Sequence, residues 1–235
     1  MPLRIISYLA PSIPSEFFRL VAEDLGASIE FNETISGPLE GDDEPFTSAR
    51  SDVGFVCSPT YRWLQPRVEL LPLPVPLDPR AQERPVYFGD VVVRKDSAFE
   101  RFDQLRGRVW AYNDRNSRSG WFSMRERAGE SFFGRCVHSG SHLRSIEMVR
   151  SGAADAASID SNVLLRHATR DLRVIESWGP FGIQPAIVRA DLERDVKTSI
   201  ARRLLTLHER HALEPFGFRR FVEPEAGLYA SGDRV

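Results

Sequence analysis

Three polar loops in this 235-residue chain carry the residue types that hold an anion. The first lies in Trp110-Ala111-Tyr112-Asn113-Asp114-Arg115-Asn116-Ser117-Arg118-Ser119-Gly120-Trp121, where an apolar run gives way to a polar loop and then to a helical pattern. A helix start leaves backbone N–H groups unpaired and carries the positive end of the helix dipole. With the Ser117 and Ser119 hydroxyls and the Arg118 guanidinium added, such a start has the donors to hold phosphate, sulfate or carboxylate oxygens. The plainer alternative is that Asn116 or Ser117 only caps the helix. The second loop, His138-Ser139-Gly140-Ser141-His142, again leads from a strand into a helix, with Ser141 as a cap and His142 in the first turn. His142 either lines a site or serves structure. In the third, Asp160 ends the run Ala156–Ile159. It either caps the next helix, accepts a hydrogen bond from a ligand, or orients Arg118.

A fourth group sits early in the chain. Ser58 and Tyr61 follow a short apolar run and offer hydroxyls, although Tyr61 is equally suited to packing, and Tyr8 near the end of the first run offers another. Cys57 is a strand-end thiol of the kind that is ordinarily inert. His142 with Asp160 would make an acid/base pair for an enzyme acting on a small carboxylated metabolite. Against that, the chain shows no nucleophile–base–orienter set, no metal-ligand spacing and no cofactor fingerprint, so neither a metal nor a cofactor is expected. Cys57 and Cys136 have no CxxC partner and fall in different halves, which predicts two buried free thiols.

The elements that must position these loops alternate between β-like runs and helical patterns, which points to an α/β fold with crossover helices. Strands are expected at Arg4–Leu9, Ser28–Asn32, Asp52–Cys57, Tyr87–Val93, Arg108–Tyr112, Arg135–His138, Ala154–Ile159, Leu172–Ser177 and Ile183–Arg189. Pro14 opens a helix with an apolar face through Phe17, Phe18, Leu20, Val21 and Leu25, and Gly26 stops it. Tyr61–Leu64 has the makings of a further helical turn, and Gly37–Glu44 reads as a loop. Helices follow at Ser117–Ala128, His142–Arg150, Ser161–His167 and Leu192 to about His211. The proline-rich stretch Leu71–Pro85 reads as an extended surface path or an edge strand, since proline removes ladder donors. The three anion-type loops each fall at the C-terminal end of a strand, where open α/β sheets bind ligands. A complete α/β unit thus occupies 87–183, and 1–86 with 184–235 forms the other lobe. Two crossings between them, near Tyr87–Phe88 and Pro180–Gln184, would act as a hinge.

Composition narrows the classes. Charged residues make up 27% and hydrophobic residues 42%, which is ordinary globular usage. The net charge of −2 recruits no nucleic acid, and no helix-turn-helix segment supports a DNA-binding regulator. Only Lys95 and Lys197 are lysines, so 29 of the 31 basic residues are arginine and a single arginine carries little weight by itself. No run approaches the ~20 apolar residues of a membrane span. The start, MPLRIISYLAPSIP, reads as a first strand rather than a secretory signal. On that reading the protein is cytoplasmic, or periplasmic if a leader has been removed.

The chain resembles the phosphate/phosphite/phosphonate-binding proteins of ABC importers, of the type 2 periplasmic-binding-protein fold. The resemblance rests on an ordered series: Asp52-Val53-Gly54-Phe55 with Ser58-Pro59-Thr60-Tyr61, Val92-Val93-Arg94-Lys95-Asp96-Ser97, and Leu105-Arg106-Gly107. Asn113-Asp114 with Ser117-Arg118-Ser119-Gly120, Ser139-Gly140-Ser141-His142, and Ser151-Gly152 with Asp155-Ala156-Ala157 and Asp160-Ser161 come next. Gly182-Ile183-Gln184-Pro185-Ala186-Ile187-Val188-Arg189 and Phe218-Arg219-Arg220-Phe221 complete it. The resemblance implies two lobes with mixed sheets flanked by helices, a hinge, and a central cleft that closes on a small anionic ligand. It also implies site roles for Ser117, Ser119, His142, Asp160 and Tyr61, and an ABC-transporter permease as partner. The chain departs from the pattern at Arg118, where relatives often carry threonine.

Overall fold

β-Branched Ile5 and Ile6 start the chain as β1 (Arg4–Ser7), and α1 (Ser15–Leu25) follows. The computed structural model describes residues 2–10, 12–31, 45–46, 48–129, 131–167, 170–225 and 227–229; the loop expected over Gly37–Glu44 lies outside these. Along α1, Phe17, Phe18, Val21 and Ala22 recur on one face and are buried, and Gly26 ends the helix at φ 65°, a conformation that favours glycine. The early elements continue as β2 (Ser28–Phe31), β3 (Val53–Phe55), α2 (Ser58–Leu64), β4 (Val68–Leu70) and β5 (Leu73–Pro76). Next come β6 (Val86–Arg94), β7 (Val109–Tyr112), a π-helical turn (Arg118–Phe122) leading into α3 (Ser123–Ala128), β8 (Arg135–His138) and α4 (His142–Ser151). The last are β9 (Ala156–Asp160), α5 (Ser161–Arg166), β10 (Leu172–Gly182), β11 (Ala186–Arg189), α6 (Arg194–Leu205) and β12 (Phe218–Val222). The chain divides into two compact units, Met1–Val86 with Gly182–Arg234, and Tyr87–Phe181.

In the first unit the sheet runs β2-β1-β3-β11-β4. β1 pairs in parallel with β2 and β3, while β11 returns antiparallel to β3 and β4. Phe17 anchors this core, with ring centroids 6.2 Å from Phe55, 4.9 Å from Phe218 and 6.2 Å from Phe221. At the end of α1, Asp24 accepts hydrogen bonds from Arg203 and Arg210, which fixes the C-terminal segment to α1. The proline-rich stretch does form a strand at a sheet edge. It is not a surface path, however: β5 is buried at every residue and pairs antiparallel with β12. Each prolyl nitrogen lacks a donor, but a two-stranded pair leaves one side of each strand without a ladder, so the prolines are tolerated there. The last long helix is also shorter than its apolar periodicity predicts. α6 ends at Leu205, and a 3₁₀ turn at Leu207–Glu209 carries the buried face onward.

In the second unit the sheet order is β10-β6-β9-β7-β8. β7 is parallel to both β8 and β9, and β6 is antiparallel to β9. Side chains alternate across this sheet with the period of two that a strand requires. Val91, Val93, Trp110, Tyr112 and Ala156 pack with Met124 of α3 and the rings of Phe102, Phe132 and Phe133. Val92, Ala111, Ala157 and Ile159 pack on the opposite face with Ile146 and Val149 of α4 and Val163 of α5. Trp110 is fully buried, and large buried side chains of this kind each contribute about 1.5–3 kcal/mol. Among the described residues neither cysteine forms a disulfide, but Cys136 is exposed, contrary to the expectation of burial. β8 is an edge strand, and its residues Arg135, Cys136 and His138 are exposed.

Candidate anion-binding site

The C-terminal ends of β7, β8 and β9 lie side by side, because β7 is parallel to both neighbours. The three polar loops therefore emerge along one edge of the sheet. After β7, the Ser117 side chain caps the helical turn: its Oγ accepts from Gly120 N–H at 3.1 Å. After β8, Ser141 Oγ accepts from Arg144 N–H at 3.2 Å. After β9, Asp160 accepts from Asn162 N–H at 2.8 Å. Capping uses an oxygen lone pair and leaves a serine hydroxyl proton as a donor.

Two of the predicted site residues are in direct contact, since Ser119 Oγ lies 3.3 Å from His142 Nε2. His142 is 4% exposed, and burial pushes its imidazole from an ordinary 6.5 down to about 3, so the ring is neutral at physiological pH. Among the described residues its Nδ1 has no hydrogen-bond partner. A ring with so low a pKa is a poor general base, and Asp160 is engaged as a cap, so the acid/base pairing of these two residues finds no support in the geometry.

Three further residues belong with this cluster and were not singled out from sequence. Asn113, 2% exposed, lies against Gly120; a Cβ added at Gly120 would collide with Asn113 Oδ1, which has no hydrogen-bond partner among the described residues. Ser158 shares its sheet face with Ala156, the face covered by the π-helical turn. A Cβ built on Gly89 would lie 2.9 Å from Ser158 Oγ and 3.3 Å from Ser119 Cβ, so glycine lets these serines approach the backbone of β6. Among the described residues Ser158 Oγ is buried without a partner, as are both amide atoms of Asn162 in the first turn of α5. Buried polar atoms are almost always hydrogen-bonded, and leaving one unpaired costs about 1–3 kcal/mol. Several such atoms gather at this one sheet edge. Each of these residues stands in a loop or strand end that the sequence marks, but nothing local tells a serine inside a strand from one facing a site.

Arg118 is placed differently. Its two terminal nitrogens lie 2.7 and 2.8 Å from the Glu126 carboxylate oxygens, a bidentate pair, and its Cζ stands 4.4 Å from the centroid of the Phe181 ring. The guanidinium charge is therefore already matched by the carboxylate of Glu126, eight residues on in α3.

The other predicted residues lie in the first unit. Tyr8 follows β1 and Ser58 opens α2 after β3, two parallel neighbours, so both stand at the same sheet edge. Tyr8, 2% exposed, and Tyr61, 6% exposed, share a core cluster with Ile6, Val56 and Leu64. Tyr61 packs edge-on to Tyr229 at 5.2 Å, and its hydroxyl accepts from Gln65 Nε2 at 2.6 Å. Burial raises its phenol above the ordinary value. Packing is thus part of what Tyr61 does.

Among the described residues no group of three or more His, Cys, Asp or Glu side chains could hold a metal, and no helix is long and apolar enough to cross a membrane. No curated protein sequence matches the chain. Solved structures do match its fold. A binding protein component of an ABC phosphonate transporter from Pseudomonas aeruginosa superposes with a TM-score of 0.75 at 15% identity, over 97% of this chain and 83% of that one. PhnD1 from Prochlorococcus marinus, solved in complex with methylphosphonate, gives 0.76 at 16% identity over 97% and 94%. A Xanthomonas citri protein solved with bound ATP gives 0.69 at 16% identity over 97% and 93%. These likenesses establish the α/β fold of periplasmic binding proteins and lend nothing to an enzymatic reading. The family model described as "ABC transporter, phosphonate, periplasmic substrate-binding protein" matches residues 41–229, most of the chain. The protein therefore belongs to the family of periplasmic substrate-binding proteins of phosphonate ABC transporters.

Proposed function

We propose that the protein binds a small phosphorus oxyanion, of the phosphonate or phosphate class, and presents it to an ABC-transporter permease. The observation that carries this reading is the set of buried, unpartnered polar atoms on Asn113, His142, Ser158 and Asn162. They stand at the sheet edge where Ser117 and Ser119 open a helix. In the bound state the ligand's oxygens accept from the hydroxyls of Ser117, Ser119 and Ser158 and from backbone N–H groups of the first helical turn. Asp160 holds the β9–α5 corner against them. Tyr8, Ser58 and Tyr61 are assigned as further hydroxyl donors, and Arg118 braces the loop rather than touching the ligand. Membership of a periplasmic family supports action on the periplasmic side of the membrane.

Thermal unfolding with phosphate, phosphite, methylphosphonate, sulfate and small carboxylates tests the reading. A ligand at a hundred times its Kd adds about 2.7 kcal/mol of stability. A raised Tm with a phosphorus oxyanion is the expected outcome. A shift with carboxylates alone, or with none of these compounds, would overturn it.

A further inference from the structure

The atoms awaiting a partner at this sheet edge are not those that a bare dianion satisfies. Asn113 Oδ1 and Asn162 Oδ1 are acceptors, and the neutral His142 ring offers either a lone pair or one N–H at Nδ1. A fully deprotonated oxyanion brings only acceptors, and would leave two amide oxygens buried and unpaired. Charge points the same way. Asp90, Asp114 and Asp160, 4%, 4% and 3% exposed, are buried carboxylates at this edge. Of the guanidiniums, Arg118 is matched by Glu126, and half-buried Arg166 feels Asp160 and donates to the Asn162 carbonyl at 3.1 Å. Arg115 and Arg144 are exposed, as is His138 at the end of β8. Arg118 and Arg166 therefore each already face a carboxylate, so a second ligand charge would have to compete with Glu126 or Asp160 for them.

We propose that the site selects its oxyanion in a protonated form, a singly charged hydrogen-phosphonate or dihydrogen-phosphate species whose own O–H donates to Asn113 Oδ1 or Asn162 Oδ1. This rests on the anion-binding reading above and names the ionic form that the site takes. Sulfate, which has the same shape but carries no proton at neutral pH, is excluded on the same ground.

The test is titration calorimetry of the full chain from pH 6 to pH 9 with methylphosphonate, inorganic phosphate and a fluorinated, more acidic methylphosphonate, with sulfate alongside. The expected result is an apparent Kd that is flat below the ligand's second ionisation and rises tenfold per pH unit above it. The break should move from ligand to ligand with that ligand's own pKa, and sulfate should bind at least a hundredfold more weakly than phosphate at pH 6. A Kd that is flat through every ligand's ionisation would overturn the proposal and leave anion binding standing. A break at one fixed pH for all ligands would overturn it in favour of a titrating protein group. No heat from any ligand at any pH would bring down the anion-binding reading itself, and this inference with it.

Discussion

Acidification should destabilise the second unit through His142 before it touches the carboxylates. The folded imidazole titrates at about 3, against an ordinary 6.5 in an unfolded chain, because burial disfavours its charged form. Between those two values the unfolded chain holds a proton that the folded chain does not. Stability from this group is whole above pH 6.5 and falls as the pH drops through the window. At pH 4.5 the unfolded state is favoured by two pH units of differential protonation, which is about 2.7 kcal/mol. The carboxylates with lowered values, Asp24, Asp52, Asp171 and Glu225, lose their contribution only in a more acidic range. His167 is also lowered, by burial and by Arg166 and Arg150, and contributes with the same sign. Comparison with a His142→Gln variant removes that shared background. Urea unfolding at pH 7.5 and pH 4.5, followed by tryptophan fluorescence, reads chiefly the second unit, which holds Trp110, Trp121 and Trp178 of the four tryptophans. The wild type should lose about 2.7 kcal/mol more than the variant across that interval. Equal losses in the two proteins would refute the reasoning and mean that the His142 ring takes up its proton without unfolding.

Three substitutions bear on the anion loop. Ser117→Ala should raise the Kd for the oxyanion roughly 5- to 150-fold, about 1–3 kcal/mol, by calorimetry; an unchanged Kd would leave Ser117 as a helix cap alone. Gly120→Ala drives a methyl group into Asn113 Oδ1 and should cost about 1–3 kcal/mol of stability. Adding Asn113→Ala should restore most of that loss, and an unrescued double variant would argue against the collision. Arg118→Ala removes a partly exposed ion pair and a contact with Phe181, so unfolding free energy should fall by about 1–2 kcal/mol. Its effect on Kd should be smaller than that of Ser117→Ala, and a larger effect would place the guanidinium on the ligand.

How far the sequence discloses this molecule depends on the range of the interactions concerned. α1 is legible because Pro14, the Phe17–Val21 face and Gly26 lie within thirteen residues of one another. The loops after β7, β8 and β9 are legible for the same reason, since each strand, cap and helix start is a local pattern. β5 was harder. Its prolines argue for the surface, and the strand that buries it, β12, lies far along the chain. Cys136 reads as buried because an edge strand and a central strand look alike until the sheet order is known. Arg118 reads as an anion ligand from its position at a helix start, and only the side-chain geometry brings Glu126, eight residues on, into contact with it. Asn113, Ser158 and Asn162 have no signature at all at the level of composition. Being buried without a partner is a property of the packed molecule, not of the residue.

The discontinuity of the first unit sets an order on synthesis. Its strands β1 to β3 leave the ribosome early, yet β11 and β12, which pair with β3 and β5, come only after the whole of Tyr87–Phe181. At roughly 5–20 residues per second the first 86 residues wait on the order of 5–20 s with those edges unpaired, while the second unit, contiguous in the chain, is free to fold as it emerges. Cys57, buried at the end of β3 in the finished protein, reports on the wait. Its thiol should react with a maleimide on arrested nascent chains that stop before Ala186, and become protected once β11 has been made.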